Sequence, residues 1–332
     1  MILIGIIGGI YAFEDASKRS PKVTFDQNTR LSKVLRKLGA ESPLHAINGI
    51  DSNLAQKGEA IVMQGKTTKP DGSSTNLVSI HYVCTDCHNV KQELPDVGKV
   101  DPEARLNYAI NNDLPFLQGS GLYGVVNRDS WYNGDYQKKY GQLAKDARND
   151  LTNAIQLCAT ECSQGRPLTD WEMKAVLHYL WSIELTMGDL NLSDSAMIGL
   201  EKAAAEPGKH QDTIKWLQSH YLKASPATFA EPLPNAKRKY GVGGDPQLGK
   251  AIYEQGCRHC HYSGGVSNFT LDHSILTFKK LENHFPKYSD YSIYQVLRHG
   301  IQPRPGYRPY MPQYTMERMS REQVNHLAAY IK

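Results

Sequence analysis

The sequence predicts a mainly α-helical protein of two helical domains joined by a linker that contains proline and glycine. Three observations carry this expectation. A Cys-x-x-Cys-His motif occurs once in each half, at Cys84-Thr85-Asp86-Cys87-His88 and at Cys257-Arg258-His259-Cys260-His261. Each half closes on an amphipathic helix that opens with a capping box. Between the halves lie Pro226, Pro232 and Pro234, then Lys237-Arg238-Lys239, then Gly241, Gly243 and Gly244, a composition that stiffens and then loosens the chain. At 332 residues the chain is long enough for about two domains.

Taken in order, residues 1–13 are nearly all apolar or glycine. A spanning helix needs about 20 such residues, and the basic start and cleavage site of a secretory signal are not clear. The segment is read as a shortened signal anchor or the remnant of a cleaved signal, and either implies export. Residues 14–55 form an N-terminal extension with one helix, because Leu31, Val34, Leu35 and Leu38 follow helical spacing and Gly39 and Pro43 stop it. The first domain covers residues 56–186. Its closing helix starts at Thr169 with Glu172 completing the box, and Met173, Val176, Leu177 and Leu180 form its buried stripe beside Trp181. Residues 187–245 are a linker region with helical stretches at 195–205 and 212–222. The second domain covers residues 246–332 and ends in a helix capped by Ser320 and Gln323, with Val324, Leu327, Ala328 and Ile331 as its stripe.

Charge excludes some functions. A net charge of +4 gives no nucleic-acid-binding signature. Six cysteines in a chain of this size do not make a disulfide scaffold, and four of them belong to the two motifs.

The chemistry of the motifs is specific. Two cysteines three positions apart reach the vinyl carbons of a porphyrin and form thioethers, and the histidine that follows presents its imidazole to the iron. Cys84, Cys87, Cys257 and Cys260 are therefore the expected attachment points of two haem c groups, with His88 and His261 as iron ligands. The competing readings are a tetrahedral zinc site assembled from both motifs and a thioredoxin-like redox pair. The latter does not require the histidine.

The second motif has an evident sixth ligand. Met311 lies in a proline-rich loop, 303–312, just before the last helix, where prolines hold an extended loop that can offer a thioether. Met316 and Met319 compete, and Met319 adjoins the terminal helix as a core residue. With Cys257, Cys260, His261, Met311-Pro312 and the closing helix in hand, about the last ninety residues resemble the class I cytochrome c family. The resemblance implies a helical fold and a His/Met haem used for electron transfer.

The first motif differs. No methionine lies between His88 and Met173, and Met173 is on a buried stripe. The stretch 155–168, with Cys158 and Cys162, occupies the distal-ligand position, and thiolate is a known haem ligand. Arg148, Leu151, Ile155, Cys158, Gly165, Leu168, Glu172, Met173, Ala175 and Tyr179 resemble the thiosulfate dehydrogenase and SoxA-type cytochromes. That resemblance implies a His/Cys haem with Cys158 as the ligating sulfur. The family's Arg-Ser-Met-Asn run is here Glu161-Cys162-Ser163-Gln164, and the 123–140 block departs from the enzyme pattern, so haem ligation carries over better than catalysis. A Cys158–Cys162 disulfide, and Cys162 or Met187 as ligand, remain open at this point.

His81 and His259 are read as local contacts and His178 as partly exposed. The aromatic block of Trp131, Tyr132, Tyr136 and Tyr140 either covers the first haem or forms a packed loop. Residues 279–332 carry nine basic and four acidic side chains, read as solvated surface rather than as a docking rim. The leading expectation is a dihaem electron carrier in the periplasm or on the outer face of a membrane. Its partner is a redox protein or a respiratory or photosynthetic membrane complex. The alternative is a sulfur-compound oxidoreductase with Cys158 in its active site.

Overall fold

The computed structural model describes residues 23–302 and 311–332. The proposed signal segment, 1–13, and residues 303–310 of the proline-rich loop lie outside the described residues. Among the described residues there are helices and isolated bridges but no strand, so the fold is mainly α as expected. No helix among them is long and apolar enough to cross a membrane.

The helices follow short-range signals in the chain. The extension supplies α1 (Leu31–Lys37). Next come α2 (Ser52–Gln64), whose N-cap Asp51 accepts from the Asn53 and Leu54 amides, and α3 (Pro102–Asn111), capped by Asp101 with Pro102 in the first turn. Proline is suited there because its missing N–H would have no helical partner. Three short helices follow, α4 (Tyr136–Tyr140), α5 (Gln142–Ala147) and α6 (Leu151–Leu157). The last runs into a π turn over Cys158–Cys162. α7 (Asp170–Ser182) carries the expected Thr169/Glu172 capping box. α8 (Asp194–Ala205) and α9 (Gln211–Gln218) occupy the connecting region. α10 (Pro246–Ile252) continues through a π turn, Tyr253–Cys257, into α11 (Arg258–Cys260). α12 (Ile275–Asn283), α13 (Ile293–His299) and α14 (Arg321–Ile331), with its Ser320/Gln323 box, complete the fold.

Each half is built on one close helix crossing. In the first, α2 lies on α7; in the second, α10 lies on α14. Both crossings turn on a glycine. A Cβ at Gly58 would stand 2.0 Å from the carbonyl oxygen of Ala175, and one at Gly249 would stand 2.0 Å from that of His326. Only hydrogen fits between the backbones at these points, so the helix before each motif and the helix that closes each half are held at a fixed distance.

Three apolar cores result. Ile61, Val62, Met173, Val176, Leu180 and Leu157 form the first. The second joins Ile252, Tyr253, Leu297, Val324, Leu327 and Ile331, but it also takes in Leu106, Ala109, Leu114 and Phe116 from the first half of the chain. The third packs Leu31 and Val34 of α1 and its C-cap Leu38 against Met197, Leu200, Ile214 and Leu217 of α8 and α9. The stretches read from sequence as an extension and a linker thus share a core of their own.

The first and second halves are also joined by buried charge. Glu93 accepts from the two terminal guanidinium nitrogens of Arg318, from Asn89 Nδ2 at 3.0 Å and from the Gly121 amide at 3.0 Å, and Arg105 Nε lies 3.4 Å away. Arg105 also donates to the carbonyl of Arg318 at 2.9 Å. Arg318 and Arg298, read with the other basic residues of 279–332 as solvated surface, are instead withdrawn from solvent. Arg298 is buried, donating to the carbonyls of Tyr314 and Ser320. His178 also differs from expectation. It is buried, because its Nδ1 accepts the Asp51 amide at the start of α2 and so serves the α2–α7 crossing.

Candidate functional site

The two motifs fold alike. In each, the histidine amide donates to the carbonyl of the first cysteine at 3.0 Å, from His88 to Cys84 and from His261 to Cys257. The imidazoles are fixed in the same way. His88 Nδ1 is 2.7 Å from the Ser120 carbonyl and His261 Nδ1 is 2.8 Å from the Phe269 carbonyl. A carbonyl can only accept, so Nδ1 carries the proton in both rings and Nε2 keeps its lone pair. That is the tautomer a metal-binding histidine needs. Burial lowers both pKa values and favours the neutral ring.

The cysteine environment favours uncharged sulfur. Burial pushes the Cys84 thiol up to about 11 and the Cys257 and Cys260 thiols up to about 12. A thioether satisfies such a pocket at no electrostatic cost. Gly119 closes over the first motif, its amide donating to the Cys87 carbonyl at 2.9 Å. A Cβ there would stand 2.6 Å from His88 Nδ1.

On the other side of His88 stands Cys158. Its Sγ is 4.0 Å from His88 Nε2. With bond lengths usual for first-row metals, about 2.0 Å to nitrogen and 2.3 Å to sulfur, a metal held between the two needs roughly 4.3 Å. The pair therefore fits a haem iron. The π turn brings Cys158 there and sets Cys162 to the side, where the hydroxyls of Tyr132 and Tyr140 lie 3.6 and 3.3 Å from its sulfur. Both cysteines are free thiols. The neighbouring Cys162 and burial push the Cys158 thiol well above the usual range, whereas Cys158 and the Tyr140 and Tyr132 hydroxyls outweigh burial and hold Cys162 below it. Met187, the other alternative, is fully buried in the third core, among residues of α1, α8 and α9. The aromatic block is packed: Tyr132, Tyr136 and Tyr140 meet ring to ring at 5.4 to 6.2 Å and Phe229 covers Tyr136 at 5.2 Å.

In the second half, Met311 pairs with Ile301 through two backbone hydrogen bonds of 3.0 Å and packs, like Cys257, on the edge of the second core. Met319 is fully buried within that core, as expected. The Met316 amide donates to the Thr228 carbonyl. Among the described residues no group of three or more histidine, cysteine, aspartate or glutamate side chains is arranged to hold a metal ion, so the zinc site drawn from both motifs does not assemble there.

The structure also brings the motifs together. Cys260 Sγ lies 3.9 Å from the carbonyl oxygen of Asp86. His259, inside the second motif, favours the ionised form of Asp86, although burial dominates and raises that carboxyl. Nothing in the residue pattern announces this contact, because the motifs are separated by more than half the chain.

Residues 244–331 match the family of cytochrome c oxidase, cbb3-type, subunit III. No curated protein and no solved structure matches the chain. The match covers the second motif, Met311 and α10 to α14, and agrees with the likeness to cytochrome c read from these residues. Residues 244–331 are a c-type cytochrome domain, and through it the chain is an electron-transfer haem protein.

Proposed function

We propose that the chain carries two haem c groups and passes electrons between them. The observation that carries this reading is the abutment of the two motifs, with Cys260 Sγ 3.9 Å from the Asp86 carbonyl. Cys84 and Cys87, and Cys257 and Cys260, would hold the two porphyrins through thioethers on either side of it. Bound haem supplies a one-electron iron couple whose potential follows its axial ligands. His88 and Cys158 ligate the first, and thiolate lowers its potential. His261 and Met311 ligate the second, and thioether raises it. Electrons therefore run from the first to the second and on to a redox protein or a membrane complex. Covalent haem attachment and the apolar start of the chain support export to the periplasm or the outer face of a membrane, with an N-terminal anchor.

Haem content and low-temperature EPR test the reading together. The purified holoprotein is expected to contain two haems per chain, one with a thiolate-type low-spin signal and one with a His/Met signal. A single haem, or two His/Met signals, overturns it. Gly119→Ala is expected to push the His88 ring off the Ser120 carbonyl and to lose the first low-spin signal while the second stays, as EPR of the variant will show.

A second reading, an oxidoreductase of sulfur compounds in the manner of thiosulfate dehydrogenases, is favoured by one feature. Lys139 acts electrostatically on Cys162 beside the Tyr132 and Tyr140 hydroxyls, a cationic, donor-rich corner suited to an anion. A ferricyanide-coupled thiosulfate assay decides. Turnover abolished by Cys158→Gly establishes the enzyme, and no turnover leaves the carrier.

A further inference from the structure

The buried ions that join the two halves are built around the histidine of the first motif. Glu93 is bonded to the chain on both sides of His88. Asn89, the next residue, donates its Nδ2 to Glu93 Oε2 at 3.0 Å. The Gly121 amide donates to Glu93 Oε1 at 3.0 Å, and the residue before it, Ser120, supplies the carbonyl 2.7 Å from His88 Nδ1. Three guanidinium groups converge on this place. Arg318 donates to both oxygens of Glu93, and Arg105 Nε stands 3.4 Å from Oε2. Both arginines also donate to the Leu117 carbonyl, Arg105 at 2.7 Å and Arg318 at 3.0 Å. Arg128 donates to the Gly121 carbonyl at 3.0 Å, to Ser120 Oγ at 3.3 Å and to Ser225 Oγ at 2.8 Å, all of them neutral oxygens. One carboxylate thus faces three guanidinium groups, and the cluster carries excess positive charge. Water screens it little, since Arg105 is 1 % exposed, Glu93 8 % and the Arg318 side chain 11 %. Arg105 already pairs Glu93 from within the first half of the chain. A second buried cation on the same carboxylate carries a desolvation cost that an apolar side chain avoids, so Arg318 calls for a role beyond packing.

We propose that Arg318 is a positioning residue for the first haem: reaching across from the 244–331 domain to the Glu93 cluster beside His88, it raises that haem's potential while the two halves are docked. The inference rests on the reading that His88 ligates a haem iron. Reduction of a ferric iron removes one positive charge from its site, so cations held nearby in a weakly screened interior favour the ferrous form. Thiolate ligation acts in the opposite sense. The cluster therefore offsets part of the thiolate's effect and reduces the potential difference between the two haems. Arg105 and Arg128 belong to the first half, whereas Arg318 lies within the matched cytochrome domain. Separation of the halves removes one cation from the cluster, so an undocked first half is harder to reduce than a docked one. Electron uptake at the first haem is in this way tied to the presence of the domain that receives the electron.

The test is a potentiometric titration of the purified holoprotein, read separately at the EPR signals of the two haems, in wild type, Arg318→Gln, Arg318→Lys, Glu93→Gln and Arg128→Gln. At the wild-type midpoint of the first haem, Arg318→Gln is expected to lower its ferrous-to-ferric ratio about tenfold, a shift of ~59 mV for one electron. Glu93→Gln, which removes the anion and leaves the cations, is expected to raise the ratio. Arg318→Lys keeps the charge and is expected to stay close to wild type. Arg128→Gln leaves the Arg318–Glu93 pair intact and is expected to lower the ratio, so the effect of the cluster's charge is read even where a variant of the pair fails to fold. The second haem is expected to shift less than the first in every variant. A merely structural role moves Arg318→Gln and Glu93→Gln in the same direction. Shifts of the same sign in those two, an Arg318→Lys that behaves like Arg318→Gln, or an unchanged ratio in Arg318→Gln or Arg128→Gln each overturn the proposal and leave the two-haem reading standing. A holoprotein with one haem per chain overturns that reading and the proposal with it.

Discussion

Replacing Glu93 with glutamine lowers the stability of the folded chain by about 3–5 kcal/mol at neutral pH, the range for breaking a buried ion pair from one side. The amide leaves Arg318 and Arg105 buried without their anion. Burial raises the Glu93 pKa, but the Arg318 and Arg105 guanidinium groups outweigh it and hold the carboxyl well below the usual carboxylate range. The sign of the pH dependence follows. A depressed carboxyl contributes stability that is fully present above its unfolded value of 4.5 and is lost as pH falls towards the depressed folded value. The gap between wild type and Glu93→Gln therefore narrows below pH about 4.5. Thermal melts of both proteins from acid to neutral pH check this. A gap that stays constant into acid excludes the carboxylate as its source. Because Arg318 comes from the second half and Glu93 from the first, the variant also loosens the contact that keeps the two motifs together.

Gly58→Ala and Gly249→Ala are each expected to destabilise the protein by about 3 kcal/mol, the upper end for overpacking. The obstructing atoms are backbone carbonyls, of Ala175 and His326, which cannot rotate away. The expected readout is a lowered thermal midpoint for both, together with a perturbed haem in the 244–331 domain of Gly249→Ala, since α10 leads directly into the Cys257 motif. Gly199→Ala is the control. It lies in α8 with no atom within 4 Å of the added Cβ, so helix propensity alone acts and the change is a gain of about 0.5–1 kcal/mol. If all three variants behave alike, close helix approach is not what the two glycines provide.

The helices legible in the sequence were those with intact periodicity and caps. α7 and α14 follow from their capping boxes and apolar stripes, and α1, α8 and α9 were placed to within a few residues at their ends. α2 was missed. It has a strong cap in Asp51, but Gly58 breaks its apolar stripe and weighs against a helix on propensity. That glycine is present because another backbone occupies the space of its side chain, which only the packed structure reveals. α3 carried a readable signal, an aspartate cap followed by proline. Its Arg105 was not readable as a core residue, since arginine is rarely buried without a partner, and the partner Glu93 becomes one only through the fold. His178 reads from sequence as partly exposed for the same reason: its hydrogen-bond partner is the amide that opens a distant helix.

By itself the sequence determined the helical class, the two Cys-x-x-Cys-His motifs with their histidines, and the oddity of a first motif without a nearby methionine. These are local properties. A motif acts through residues that are neighbours in the chain, and a helix through neighbours one turn away. Tertiary structure decided everything that joins distant residues. It placed Cys158 opposite His88, moved Met187 into a separate core, tied both imidazoles to carbonyls and set the two motifs in contact. Each of these depends on which backbones approach closely enough for one carbonyl, one thiol or one guanidinium to find its partner. That distance is set by packing across the whole chain, and no local pattern encodes it.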